Sequence, residues 1–275
     1  MSEPILTVRG VSKDFVTRRS LFGAARDVVH AVRDVSLTAQ AGTTVAVVGE
    51  SGSGKSTLGR CITALDTVTS GTIRLAGHDV AKLSGPSLMA FRRTVQTIFQ
   101  DPYSSLNPRR RVGDAVMDGM TIHGLYTKAE RHERMISLLE RVGLSADHAR
   151  RYPHQFSGGQ RQRISIARAL AVTPSFIVAD EAVSALDVSI KAQVLDLMRD
   201  IQAEHGLTYL FISHDLGVVR HFADRVLIMS GGRLIEEGPT DQIFGHPREA
   251  YTQRLIEAVP RPDPSRRRFR ARAGA

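Results

Sequence analysis

The sequence offers almost no thiol chemistry, because Cys61 is the only cysteine among its 275 residues. A single thiol excludes an intramolecular disulfide and any cluster held by four thiolates of this chain. Long apolar runs are also missing: the longest uncharged stretch, 35–49, is rich in Gly, Thr, Gln and Ser and falls short of the roughly 18 residues that cross a bilayer. The N-terminal segment carries an acid and a proline where a signal peptide needs an apolar run. We expect a soluble, cytosolic protein.

The composition is that of a folded protein with a sizeable core. Apolar residues make up 42% and charged residues 24% of the chain, which suggests one large domain or two small ones. The net charge of +9 is unevenly distributed, because residues 261–275 hold six arginines against one aspartate. This basic tail therefore accounts for +5 of the charge. Two interpretations remain: contact with anionic lipid or nucleic acid, or a solvated, disordered end.

Hydrophobic patterns predict an α/β fold with a mainly parallel sheet. Signals for buried strands occur at 44–48, 94–99, 175–179, 207–212 and 225–229. Between the third and fourth strands, apolar residues recur at helical spacing at 194, 197, 198 and 201, and Gly206 ends the pattern. Strand, helix and strand in this order form a βαβ unit, whose strands are parallel.

Two segments interrupt this core. Residues 101–160 are poor in strand signals and contain a helical pattern at 128–142, so we expect an inserted helical subdomain. Residues 66–86 are rich in turn residues and predict hairpin structure, and hence an antiparallel β subdomain beside the core. We divide the chain into a main domain, 1–245, and a C-terminal extension, 246–275, that ends in the basic tail.

A phosphate-binding loop follows the first buried strand and matches the pattern GxxxxGK[ST] in full. Its glycines let successive backbone N–H groups point at phosphate oxygens, and the next helix offers its positive N-terminal end. Lys55 can reach the β- and γ-phosphates, and the Ser56 hydroxyl can bind Mg²⁺. A tight turn alone would not explain Lys55 and Ser56, so we predict nucleotide binding. The loop residues are Gly49, Glu50, Ser51, Gly52, Ser53, Gly54, Lys55, Ser56 and Thr57.

Adjacent acids end another strand, at Asp180 and Glu181. Two such acids are usually a solvated turn or a helix start. Beside a phosphate loop, however, a carboxylate at the C-terminal end of a parallel strand can bind Mg²⁺. We therefore assign Asp180 to the metal and Glu181 to the role of a base that takes a proton from an attacking water.

Three further strings complete an ordered set of motifs. Gln100 closes one strand, Ser157–Gly158–Gly159–Gln160 precedes a helix, and His214 lies in an Ile-Ser-His-Asp string that closes another strand. Together with the phosphate loop and the acidic pair, they make the chain resemble ATP-binding-cassette (ABC) ATPases, which share a P-loop NTPase core, over nearly all its length.

The resemblance implies roles for individual residues. Gln100 would be the Q-loop glutamine that helps bind the metal, and His214 the switch histidine. Ser157, Gly158, Gly159 and Gln160 would form the signature loop, and residues 184–187, ending in Asp187, the D-loop. Phe15 is placed like the aromatic residue that stacks on adenine.

Each of these motifs alone has an ordinary structural interpretation. His214 could be a satisfied histidine at a strand end, Gln100 a loop amide, and Phe15 a core residue. The Ser-Gly-Gly turn could simply cap the helix that follows, because serine is a good N-cap. Their order along one chain is what favours the ABC interpretation.

Within the family, the chain resembles the ATPase subunits of bacterial oligopeptide and dipeptide importers. The resemblance rests on residues 100–109, 183–189, 251–253 and 258–260, and on Phe156 where most cassettes have leucine. Ala182 departs from the proline usual in the peptide group, a variant that nickel importers of the same subgroup can show. The chain also ends without the cysteine-rich extension of many relatives, so no iron–sulfur cluster is expected.

The resemblance also implies partners and a location. ATP and Mg²⁺ would bind between two cassettes, the second of them a different ATPase chain, on the cytoplasmic face of the inner membrane. Two membrane permease subunits and an extracytoplasmic solute-binding protein would complete an importer, and this peripheral subunit would contact neither the transported substrate nor nucleic acid.

A remoter alternative is an ABC ATPase that acts on DNA or the ribosome, which the basic charge could suggest. DNA-repair relatives carry a long coiled coil between Gln100 and Ser157, where this chain has a short segment. Ribosome-acting relatives carry two cassettes, whereas this chain has one phosphate loop. The residues leave open whether peptide, nickel or another solute is carried.

Overall fold

The protein is built on two β-sheets, with helices packed around the larger one. The computed structural model describes residues 3–19, 25–101 and 105–258. The basic tail and residues 102–104 of the peptide-importer string lie outside the described residues. No described helix combines the length and apolar composition that crossing a membrane requires.

The larger sheet contains every strand that the apolar runs predict. Its order is β10–β9–β3–β8–β7–β6, and all neighbouring strands are parallel except β10, which pairs antiparallel with β9. The strands β3, β7 and β8 are almost entirely buried, as expected for parallel strands covered on both faces. The strands are β3 (Thr44–Val48), β6 (Val95–Ile98), β7 (Phe176–Asp180), β8 (Thr208–Ser213), β9 (Arg225–Ser230) and β10 (Arg233–Pro239).

The smaller sheet is antiparallel, with the order β2–β1–β4–β5. Its strands are β1 (Leu6–Arg19), β2 (Ala25–Ala39), β4 (Ser70–Leu75) and β5 (His78–Asp79). β4 and β5 form the hairpin predicted within 66–86. β1 and β2 carry no prediction, because register shifts such as the one at Val11 break the alternation that marks a strand. One face of this sheet packs on the larger sheet through a shared core that includes Val8, Val35, Val47 and Leu210.

Within the described residues, seven α-helices occupy segments between strands of the larger sheet, and two more follow its last strand. They are α1 (Lys55–Ile62), α2 (Gly85–Thr94), α3 (Val112–Ile122), α4 (Lys128–Arg141), α5 (Gly158–Leu170), α6 (Val188–His205), α7 (Leu216–Phe222), α8 (Thr240–Gly245) and α9 (Ala250–Glu257). In α6 the predicted apolar positions Val194, Leu197, Met198 and Ile201 are all buried. α4 coincides with the helical pattern at 128–142, and a capping box of Thr127 and Glu130 explains its start.

The segment 101–160 is helical throughout its described part, apart from connecting turns. α3 and α4 contribute Val116, Met120, Met135 and Leu139 to a core cluster that also includes Ile164 of α5. This cluster is continuous with the face of the larger sheet that carries Ile177 and Phe211. The helical segment is therefore packed firmly against the larger sheet.

α9 docks on β10 through one buried side chain. The buried carboxylate of Glu236 accepts hydrogen bonds from the backbone N–H groups of Arg248 at 2.9 Å and Glu249 at 3.1 Å. These residues directly precede α9, so the Glu236 side chain anchors the start of that helix.

Candidate functional site

Several strands of the larger sheet end together at one edge. The register pairs Val48 of β3 with Ser213 of β8, Ile212 of β8 with Asp180 of β7, and Ala179 with Ile98 of β6. Because these strands are parallel, the residues that follow them lie along the same edge. The edge collects the phosphate loop, the acidic pair, Gln100 and His214, although they are far apart in the sequence.

The phosphate loop curls tightly between β3 and α1, and at two of its glycines there is no room for a Cβ atom. A Cβ at Gly49 would lie 2.1 Å from the carbonyl oxygen of Met229, and one at Gly54 would lie 2.1 Å from that of Ala31. Gly54 also has a φ of 98°, in the region that favours glycine. Ala31 belongs to β2, so the antiparallel sheet touches the phosphate loop directly.

Lys55 is buried inside the loop that it follows. Its ammonium group donates hydrogen bonds to the carbonyl oxygens of Gly49 at 2.8 Å and Glu50 at 2.7 Å, and to Oγ of Ser53 at 3.3 Å. Burial lowers the pKa of Lys55, while the nearby Glu181 and Asp180 act in the opposite direction. The amine is thus held at the centre of the loop, where it can exchange a carbonyl partner for a phosphate oxygen.

Ser56 and Asp180 meet across the site. The Ser56 hydroxyl donates a 2.8 Å hydrogen bond to Oδ1 of Asp180. Burial raises the pKa of Asp180, and the hydrogen bond from Ser56 partly offsets that effect. A carboxylate and a hydroxyl are oxygen donors suited to Mg²⁺, which usually keeps water and phosphate oxygens as its other ligands. The described residues contain no cluster of three or more His, Cys, Asp or Glu side chains able to hold a metal.

Glu181 projects from the end of β7 in an unusual backbone conformation. Its φ is +48°, which is uncommon for a residue other than glycine. The conformation is held by a 2.9 Å hydrogen bond from its N–H to the carbonyl oxygen of Ile212. The side chain then reaches His214, whose Nδ1 lies 3.2 Å from Oε1 of Glu181. The glutamate side chain is 18% exposed and that of the histidine 56%, so the pair faces open solvent on the histidine side.

Gln100 and Phe15 lie at the margins of this arrangement. Gln100 is exposed two residues beyond β6, the strand next to the one that ends in Asp180. Phe15 is 39% exposed on β1, and the Lys13 ammonium lies 4.9 Å from its ring centroid. Phe15 pairs with Val29 of β2, two residues from the Ala31 that contacts the phosphate loop. The position suits a base-stacking side chain.

The signature loop starts α5 with a reciprocal cap. Oγ of Ser157 accepts a hydrogen bond from the N–H of Gln160 at 3.3 Å, and Oε1 of Gln160 accepts one from the N–H of Ser157 at 3.0 Å. The capping interpretation is thus correct, and the first N–H groups of the helix remain available to an anion. Gly159 packs on α6, where a Cβ would lie 2.4 Å from Cγ2 of Ile190. Asp187 is exposed directly before α6.

Sequence reasoning missed three residues that support the site. The backbone of Gly232 links β2 to the phosphate loop, because its carbonyl oxygen accepts the N–H of Arg33 at 2.7 Å and its N–H donates to the carbonyl of Ser53 at 3.1 Å. A Gly-Gly pair after a buried strand was the available signal. Lys191 and Asp215 form an ion pair at 2.8 Å beside His214; Asp215 ends the Ile-Ser-His-Asp string, but no local pattern marks its pairing with Lys191.

Comparison with sequence families gives two matches. A family described as "ABC transporter" matches residues 32–184. A second, "Oligopeptide/dipeptide transporter, C-terminal region", matches residues 235–275.

Individual relatives agree over nearly the whole chain. The oligopeptide transport ATP-binding protein OppF of Bacillus subtilis is 50% identical over 99% of this chain and 88% of its own length. The dipeptide transport ATP-binding protein DppF of Escherichia coli is 47% identical over 98% of this chain and 80% of its own length. The glutathione import ATP-binding protein GsiA of Salmonella typhimurium is 50% identical over 98% of this chain, which spans 43% of that longer protein.

Solved structures share the architecture. A dimeric ATP-binding cassette in a post-hydrolysis state, bound to ADP and phosphate, superposes with a TM-score of 0.75 at 29% identity, covering 86% of this chain and 98% of that one. CbiO1 from Clostridium perfringens, part of the ABC transporter complex cbiONQ, superposes with a TM-score of 0.76 at 26% identity, covering 89% of this chain and 92% of that one.

Proposed function

The chain belongs to the ABC transporter family, and from that membership we propose that it hydrolyses ATP to power the import of oligopeptides or dipeptides. The observation that supports the substrate class is the match of residues 235–275 to the C-terminal region of oligopeptide and dipeptide transporters. Relatives named for oligopeptide and dipeptide transport add to it, since both align with nearly all of this chain.

The residues at the sheet edge would bind ATP from one side. The N–H groups of the phosphate loop and the Lys55 ammonium would contact the phosphates, and the ring of Phe15 would stack on adenine. Ser56 and Asp180, already joined at 2.8 Å, would hold Mg²⁺ together with Gln100. The Mg²⁺ ion, when bound, neutralises charge on the phosphates.

Hydrolysis would use the pair of Glu181 and His214. A water attacks the γ-phosphorus, the bond from that phosphorus to the β–γ bridging oxygen breaks, and ADP and phosphate form. The Glu181 carboxylate takes the proton of the attacking water. His214, 3.2 Å from that carboxylate, keeps it oriented toward the phosphate.

A second cassette would supply the other half of each site. The signature loop of residues 157–160 starts α5 and packs on α6, and the N–H groups of Gly158 and Gly159 take no part in its reciprocal cap. We assign it to the phosphates bound by a facing cassette. ATP then joins the two subunits, and its hydrolysis lets them separate.

In the complete assembly, the cassettes would lie peripherally at the cytoplasmic face of the membrane. We propose that the second cassette is a different ATPase chain, and that both act on two permease subunits fed by an extracytoplasmic solute-binding protein. The cassettes would move the permeases without contacting the transported substrate, and no nucleic acid takes part.

Purification of the membrane complex through a tag on this chain tests the proposal. We expect a second ATPase of different sequence and two permeases, and ATP-dependent uptake of labelled oligopeptides or dipeptides into vesicles that also receive the solute-binding protein. A complex with two copies of this chain would refute the heterodimer. Uptake of nickel without peptide would replace the substrate class, and recovery of nucleic acid in place of permeases would refute import.

A further inference from the structure

The loop of residues 184–187 is fastened at its start to Glu181. The N–H and the hydroxyl of Ser184 both donate to the carbonyl oxygen of Glu181, at 3.0 Å and 2.8 Å. At its end, the carbonyl oxygen of Asp187 accepts the N–H of Lys191 at 2.8 Å, in the first turn of α6. A displacement of this loop therefore acts on Glu181 and on the start of α6 together.

Lys191 carries the connection from α6 to α7. Its ammonium lies 2.8 Å from Oδ2 of Asp215, and the two side chains are only 17% and 35% exposed. Burial acts to raise the pKa of Asp215, but the hydrogen bonds from Lys191 and from the N–H of Val218 outweigh it and lower that pKa. The Asp215 carboxyl is therefore held in its charged form beside Lys191, and the pair is partly shielded from solvent.

Asp215 connects this ion pair to His214. Its Oδ1 accepts the N–H of Val218 at 3.2 Å and caps α7, while its own N–H donates to Oγ of Ser213 at 3.0 Å. It thus fixes the turn that carries His214, and His214 returns to Glu181 at 3.2 Å. The contacts form a closed ring from Glu181 through the 184–187 loop, Lys191 and Asp215 back to Glu181.

We propose that Lys191 is a positioning residue for hydrolysis: it transmits the position of the 184–187 loop to His214, so that His214 and Glu181 align only when that loop is in place. The inference rests on the proposed roles of Glu181 and His214. Lys191 is not needed to keep α6 or α7 folded, because α6 is anchored by its buried apolar residues and Asp215 caps α7 by itself. Its charge is used for the connection alone.

Replacement of Lys191 by methionine in the full chain tests this role. We expect Lys191→Met to lower kcat by about tenfold, with unchanged KM for ATP and an unchanged melting temperature. Lys191→Arg restores the charge and should recover most of the rate. Lys82→Met is the matched control, since it removes a lysine from the ion pair with Asp79 at 3.1 Å, away from the ring, and should leave kcat at the wild-type value.

If Lys191→Met is unstable, the ion pair can be broken from its other side with Asp215→Asn. Asp215→Asn retains a good helix cap but loses the charge, so its kcat should fall like that of Lys191→Met, and the double variant should be no slower than either. Wild-type kcat in Lys191→Met, no recovery with arginine, or additive effects in the double variant would each overturn the inference. Glu181→Gln tests the proposed function independently of Lys191. If that variant still hydrolysed ATP, the role of Glu181 as the base would be wrong, whatever the result for Lys191→Met.

Discussion

The hydroxyl of Ser56 donates a hydrogen bond of 2.8 Å to Oδ1 of Asp180, although 124 positions of sequence separate them. Ser56 lies in the first turn of α1, after the phosphate loop, and Asp180 ends β7. The bond therefore joins the helix after the phosphate loop to the strand end that we propose binds the metal. Burial raises the pKa of Asp180 and so disfavours its charged form. A cation placed between these oxygens would act in the opposite direction and favour the charged form of that carboxyl.

Asp180→Asn should remove most of the dependence of ATP binding on Mg²⁺. A neutral amide is a weaker ligand for a hard cation than a carboxylate, whereas the phosphate loop stays intact. ATP affinity should be measured with Mg²⁺ and again with a chelator. The wild type should bind more tightly with Mg²⁺, and the variant nearly equally in both. A variant with the full wild-type Mg²⁺ effect would contradict the metal assignment.

Lys55→Met should weaken ATP binding by roughly 10- to 100-fold, the effect of losing one hydrogen bond to a charged group. Methionine fills most of the buried space of the lysine, so the measured loss reports the charge and not a cavity. Fluorescence titration with a labelled nucleotide gives the affinity. Lys128→Met, at an exposed position of α4, is the control and should bind normally. Normal ATP turnover by Lys55→Met would refute the phosphate-loop assignment.

Glu181→Gln should retain ATP affinity and lose hydrolysis. The amide matches the carboxylate in shape but cannot accept the proton of the attacking water. With ATP and Mg²⁺ the variant should accumulate as a closed dimer, visible by size-exclusion chromatography at saturating ATP. A species that stays monomeric, or that still releases phosphate, would exclude this residue as the base.

Gly232→Ala should loosen the phosphate loop through its neighbour β2. A Cβ there would lie 3.1 Å from the carbonyl oxygens of both His30 and Ala31, and φ is +81°. Gly231→Ala is the matched control, since it has a φ of +53° but nothing within 4 Å of its Cβ. Both variants should lose stability from the backbone conformation, on the order of 1 kcal/mol. Only Gly232→Ala should also weaken ATP binding, and equal affinities in the two would contradict the link.

Glu236→Gln should destabilise the protein by about 1–2 kcal/mol at neutral pH, because a charged acceptor of backbone N–H groups is lost. Burial acts to raise the pKa of Glu236, but its hydrogen bonds outweigh burial and lower that pKa. A lowered native pKa stabilises the fold above the ordinary glutamate pKa of about 4.3, and the contribution disappears as pH falls through the native value.

Denaturant unfolding at neutral and acid pH checks this dependence. The gap, which is the difference in free energy of unfolding between wild type and Glu236→Gln, should close at acid pH. Glu237→Gln, at an exposed ion pair with Arg225, should show little gap at either pH. A gap that persisted unchanged at acid pH would indicate that the Glu236 charge does not anchor α9.

The elements predicted well from the sequence are those buried on all sides. The strand expected at 44–48 is β3, Thr44–Val48, because its apolar residues are contiguous and Gly49 ends the run. α2 escaped prediction since Phe91 is its one buried residue and leaves no periodicity to detect. β1 and β2 escaped because of their register shifts and exposed apolar positions such as Val29.

At the site, motifs that are contiguous in the sequence could be predicted, whereas contacts between residues far apart in the sequence could not. The phosphate loop and the acidic pair are contiguous strings whose chemistry can be inferred directly. The bond from Gly232 to Ser53 and the ion pair of Lys191 with Asp215 join residues from different strands and helices. Such pairs depend on sheet register and helix packing, which a single sequence does not specify locally.

The left-handed backbone of Glu181 has a consequence for engineering. A residue with a Cβ loses about 1–2 kcal/mol in this conformation, whereas glycine adopts it freely. A laboratory selection for heat resistance alone would therefore enrich Glu181→Gly. The selected variant would be more stable but would lack the carboxylate that we propose receives the proton of the attacking water. At this position, thermal stability and ATP turnover favour different residues. Only a screen that measures phosphate release would retain the glutamate.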